Sequence, residues 1–202
     1  MADFSIISDT SAALLRLLRE NLCPDPVVSP ESITLVSPSD KNSDFQLGLH
    51  LYDMKELSEY RNTTPIHGEN NLRTRPPKPL SLYYMLFNNS KAQIAAGAEM
   101  EQRIFGRAIQ TLTDFNSLNL SDANPYLQPG EEAASVSLLN HSFEDKTKIW
   151  SALQTPYQVG IYFMVSPVML SSRVEEKISR VTDISTRTGL VTGPGVFIEN
   201  SQ

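Results

Sequence analysis

The sequence predicts an α+β domain, with a single mixed β-sheet and two main helices largely on one face. Two segments carry apolar residues at helical spacing, and several others alternate strictly between apolar and polar positions. Their order is helix, strand, strand, strand, helix, strand, turn, strand, strand, which gathers the strands into one sheet. At 202 residues, 40% hydrophobic and 20% charged, the chain is long enough for one sizeable core and too apolar for disorder.

The first helix is read from Leu14, Leu15, Leu18 and Leu22, with Arg16, Arg19 and Glu20 on the other side and Pro24 and Pro26 as its stop. A short strand around Ile33 to Val36 lies between Pro30 and Pro38, which donate nothing to a ladder, so it belongs at an edge or an end. In "DFQLGLHLYDM", Phe45, Leu47, Leu49 and Leu51 alternate with Gln46, Gly48, His50 and Tyr52, the pattern of a half-buried strand. Leu80 to Phe87 is apolar on both alternating sets and reads as a central strand covered on both faces. Asn89 or Ser90 is placed to cap a second helix, whose stripe of Ile104, Phe105, Ala108, Ile109 and Leu112 runs to about Phe115.

Asn116 to Ala133 reads as a loop, and "ASVSLLN" resumes as a short strand. Ser142 stands three residues before Asp145, a capping-box-like start for a short helical turn that reaches Trp150 and closes at Pro156. Tyr157 to Val165 alternates as a further strand, broken at Pro167. Trp150, the single tryptophan, is expected to pack between the short helix and the sheet. Beyond Leu170 the chain turns polar, with one charged edge strand in "VEEKISRV" and a Gly, Thr and Ser tail.

Composition excludes several functions. A net charge of -6 argues against a nucleic-acid partner, and the lone Cys23 excludes an internal disulfide and zinc sites built on paired cysteines. No apolar run approaches the roughly 18 residues that span a bilayer, and the start "MADFSIISDT" lacks a positive n-region, so synthesis in the cytoplasm is expected and no membrane partner. His50, His67 and His141 form no paired metal motif, and neither an esterase elbow nor a phosphate loop is present, so no catalytic, cofactor or metal residue is assigned and the chain is expected not to be an enzyme. The adjacent pairs Glu131 with Glu132, Glu144 with Asp145 and Glu175 with Glu176 read as solvated surface.

Four stretches, "FQLGLHLYDM", "RPPKPLSLYYMLF", "RIFGRAIQTLTDF" and "FEDKTKIWSALQTPYQVGIYFMVSPVML", taken together resemble the cap proteins, or tail terminators, of extracellular contractile injection systems. They follow the family's order from Met1 to about Leu170, and the segment after Leu170 lies outside the resemblance. The resemblance implies a fold similar to phage tail terminators and a non-enzymatic cap, a homo-oligomeric ring of expected six-fold symmetry at the end distal to the baseplate. Inner tube protein and sheath protein are the implied partners, in a particle assembled in the cytoplasm. An assembly chaperone that transiently binds tube or sheath subunits is the alternative. The division expected is a cap domain over 1–170, then an edge strand and polar tail over 171–202. Two charged stretches are the candidate partner contacts: the proline-rich loop with Arg73, Arg75 and Lys78, and the edge segment with Glu175, Lys177 and Arg180.

Overall fold

Helix α1 (Ile6–Leu22) buries Ile6, Leu14, Leu18 and Leu22 along one stripe, and two of its polar residues are buried with them. Both have partners: the Thr10 hydroxyl donates to the Ile6 carbonyl at 2.7 Å, and the Ser11 hydroxyl shares a 2.9 Å hydrogen bond with the Tyr84 phenol across the core. The computed structural model describes residues 4–40, 44–58, 66–67, 72–89, 97–121 and 133–177, with the backbone alone at 66–67, 72–74 and 175–177.

Strands β1 (Ile33–Leu35) and β2 (Leu47–Glu56) pair in parallel. β3 (Ile66–His67) and β4 (Leu72–Thr74) are short, and β5 (Lys78–Asn88) is long and central. After α2 (Ala98–Asp114) come β6 (Ser117–Asn119), β7 (Ala133–Leu138), α3 (Phe143–Ala152), β8 (Gly160–Leu170) and β9 (Glu175–Lys177). The main sheet is six-stranded and mixed in the order β1-β2-β5-β8-β7-β6, and β3-β4-β9 form a separate three-stranded antiparallel sheet.

The two main helices share one face, as expected. Ile104, Ala108 and Leu112 of α2 join the α1 stripe over Leu82, Tyr84, Leu86, Phe163 and Val165, the alternate residues of β5 and β8. The other face carries α3, whose Trp150 packs with Phe45, Met85, Phe87 and Tyr162.

Several boundaries differ from the expectation, each for a local reason. α2 begins at Ala98 after Gly97, well past Asn89, and Ser90 lies outside the described residues. Ser117–Asn119, read as loop, pairs with Ala133–Ser135, a match between distant segments that no local pattern announces. β8 does not break at Pro167. The β5–β8 register shifts between Leu82↔Val165 and Leu80↔Val168, so the proline falls in a bulge where no ladder donor is required. Phe45 does not share the side of Leu47 and Leu49; its ring meets Phe87 edge-on at 5.6 Å on the α3 face.

Candidate partner interface

On the α3 face, Ser142 caps the helix that positions the aromatic cluster. Its Oγ accepts the Asp145 N–H at 3.1 Å, and its hydroxyl donates to Asp145 Oδ2 at 2.6 Å. That hydrogen bond holds the Asp145 carboxyl below its ordinary pKa. Seven residues after the cap's first helical position, Trp150 is 1% exposed, donates Nε1–H to the Tyr162 hydroxyl at 2.9 Å, and meets the Phe87 ring at 6.0 Å. Tyr52, the residue left over at the β2–β5 register shift between Leu51 and Asp53, shares a 2.8 Å hydrogen bond with His141 Nε2. Burial pushes the Tyr52 and Tyr162 phenols up, the latter against the opposing pull of Trp150's hydrogen bond. Both are neutral near pH 7 and hold their places in the cluster through hydrogen bonds to His141 and Trp150.

Between β2 and α3 lies an open groove of about 480 Å³, lined by Tyr52, His141, Ile149 and Leu153 with Asp53 and Asp145 at its margin. Beyond it the apolar stripe of α3 reaches the surface. Phe143 is 70% exposed and contacts the Tyr157 ring at 5.1 Å, with Val159 66% exposed nearby in the chain. Sequence reasoning missed this patch. The seven-residue spacing from Phe143 to Trp150 puts both on one helical stripe, but it does not tell that Phe143 is exposed while Trp150 is buried.

The charged residues predicted as contacts come together more closely than the sequence indicated. β5 and β8 pair out to Lys78↔Leu170, so the segments beyond that end leave side by side. They pair again as β4 and β9, with Arg73↔Glu176, Thr74↔Glu175 and Leu72↔Lys177 in register. Pro76 and Pro77, lacking N–H groups, separate this small sheet from the main ladder. Arg75 and Lys78 are exposed at the junction, and Glu175 and Lys177 lie on the outer strand of the β3-β4-β9 order. Arg180 lies outside the described residues. The base of this arm is tied to the N-terminal end of the chain, where the Arg173 guanidinium sits 5.2 Å from the Phe4 ring centre.

Burial raises the Cys23 thiol, which disfavours a reactive thiolate, and it lowers the half-buried His50 imidazole. Glu144 pairs with Lys148 at 2.7 Å one turn along α3. Among the described residues no group of histidines, cysteines and carboxylates is placed to hold a metal ion, and no helix is long and apolar enough to cross a membrane.

This α+β fold, built on one mixed six-stranded sheet, matches solved structures of sheath and tube terminators. The chain is similar to the sheath/tube terminator of an extracellular contractile injection system, PVC, seen by cryo-EM in its extended state, with a TM-score of 0.66 and 18% identity over 94% of this chain and 65% of that one. It is also similar to the anti-feeding prophage cap, a tube-terminating cap, with a TM-score of 0.61 and 16% identity over 90% of this chain and 61% of that one. The chain thus spans somewhat under two thirds of the length of both solved relatives. It belongs to the Pvc16 N-terminal domain family, whose model matches residues 9–183. No curated protein sequence matches it.

Proposed function

We propose that this chain is the cap that ends the inner tube and sheath of a contractile injection particle, at the end distal to the baseplate. The observation that carries the reading is the conjunction of family membership over residues 9–183 with a terminator fold over 94% of the chain. A cap of this kind does no chemistry. It is a rigid wedge that closes with its own copies through a heterologous contact into a ring, six-fold to match tube and sheath. Several features suit that role. The sheet has a core on each face, both terminal strands of its main sheet are only three residues long, and exposed aromatic surface lies beside Trp150.

In this reading residues 1–170 form the wedge, and 171–202 supply an edge strand and polar tail. The β4–β9 pair with Arg73, Arg75, Lys78, Glu175 and Lys177, continued by Arg180, is the sheath-facing contact, where main-chain groups of an outer strand accept a partner segment. The protein is made and assembled in the cytoplasm as part of the particle. No observation favours the assembly-chaperone alternative.

Deleting the gene tests the reading. Tubes or sheaths of irregular length in electron micrographs are expected, and particles of normal, uniform length would refute it. Mass spectrometry of purified particles separates a cap, which stays in the finished particle, from a chaperone, which leaves it.

A further inference from the structure

The interior of α2 holds a glycine that nothing within the chain calls for. Gly106 lies in regular helix, and a methyl group built on it would meet nothing within 4 Å. Glycine is a poorer helix former than alanine, so the position gives up stability for open space. Its neighbours one turn away on either side, Gln102, Arg103, Ile109 and Gln110, are all exposed, which makes Gly106 the floor of a recess on the outer face of the helix. Ile109, 41% exposed, gives that recess an apolar wall. The rim is basic. Arg107 donates Nε to the Asn21 carbonyl at 3.0 Å and Nη1 to Gln110 Oε1 at 2.9 Å, both uncharged acceptors, and Arg103 meets the exposed Asp25 at 3.4 Å.

The opposite face of the sheet carries a shape to match. Phe143 is exposed yet held in place, because its ring leans on Tyr157, whose own ring meets the buried Trp150 at 6.5 Å. An aromatic side chain ordered before it docks loses little entropy on docking. The charges beside it are acidic where they are free to act. Lys148 is paired with Glu144 and Lys146 lies 5.8 Å over the Tyr162 ring, whereas Asp145 takes its hydrogen bond from the uncharged Ser142 hydroxyl. Since α2 and α3 cover opposite faces of the sheet, this knob does not reach the recess of its own chain.

We propose that Phe143 of one copy seats in the Gly106 recess of a second copy, with Asp145 set against Arg107, and that this is the contact by which the chain associates with itself. Head-to-tail association needs two unlike patches on one molecule. Here a firm aromatic knob beside an acid and a vacant recess beside a base stand on opposite faces, complementary in both shape and charge. A glycine floor lets the ring descend onto the helix backbone, and the Arg103 guanidinium is placed to lie along it. This contact deepens the reading of the chain as a ring-forming cap and rests on it.

The test uses the full chain with Cys23→Ala and one thiol in each of two versions: Gln102→Cys on the rim, and Val159→Cys, two residues along from Tyr157. Mixed and treated with a short bismaleimide, the two should link to each other about tenfold faster than either links to itself. Gly106→Leu in the first version should abolish that advantage while raising the melting temperature, because leucine is the better helix former and the space is open. Phe143→Ser in the second version should abolish it too. Equal mixed and self rates, faster self-linking of one version, or an advantage that survives both substitutions would overturn the proposal. Failure of Gly106→Leu to fold would show the recess to be filled within the chain and would also overturn it. Linking is measured on the free chain, so a negative result with this chain present at the distal end of the particle removes the contact and leaves the cap. A positive result with another polypeptide at that end removes the cap and leaves the contact.

Discussion

Trp150 shows how one residue joins α3 to the sheet. Its ring fills the space over Phe87 and its N–H is satisfied by Tyr162, so truncation removes both the packing and the partner of a buried phenol. Trp150→Ala should lower the stability measured by denaturant unfolding by about 3–5 kcal/mol. Tyr84 makes the corresponding contact on the other face, stacked on Phe163 at 5.7 Å and hydrogen-bonded to Ser11. Burial pushes its phenol from its ordinary value of 10.0 up to about 12. A folded pKa raised above the unfolded one means that its contribution is fully present below pH 10 and lost as pH rises toward 12. Stability against denaturant should therefore fall across that alkaline window, with a shallower fall in Tyr84→Phe. The core placement of Trp150 was legible in the sequence, because a lone tryptophan in a short capped helix before an apolar strand has one good place to pack. Phe143 was not, since one helical stripe cannot tell which of its ends lies over the sheet.

At the scale of elements, Gly48 on β2 is the position with least room. A methyl group there would lie 2.5 Å from Phe87 Cζ and 2.9 Å from Phe45 Cε2, rings that close over the strand from the α3 face. Gly48→Ala should destabilise by about 1–3 kcal/mol, seen as a lower unfolding midpoint with unchanged slope. This crowding also explains why β2 reads as half-buried in sequence yet is covered on both faces at Leu47 to Leu49. The long strands β2 and β8 and both main helices were legible because each carries its own periodicity, and β5 because it is an unbroken apolar run. The three-residue strands were not, apart from β1 between its prolines and the charged β9, since β4 and β6 are defined by distant partners. Likewise, both charged stretches were visible in the sequence, but their pairing as β4 and β9 follows from the way β5 and β8 leave the main sheet together.

At the scale of the whole molecule, the proposed cap role makes the six-stranded sheet a stiff wedge and the β4–β9 pair its charged partner contact. If that arm is the sheath contact, reversing the exposed Arg75 and Lys78 to glutamate should cut incorporation into particles by about tenfold while the free protein still melts cooperatively. Loss of incorporation together with loss of the fold would instead make those residues structural. The central claim, that this chain closes into a collar at the far end of the tube and sheath, is tested most directly by a cryo-EM map of the distal end of the particle. The account predicts a closed ring of copies of this fold as the terminal layer, with the β4–β9 arm turned toward the sheath. A terminal layer built from some other polypeptide would contradict it.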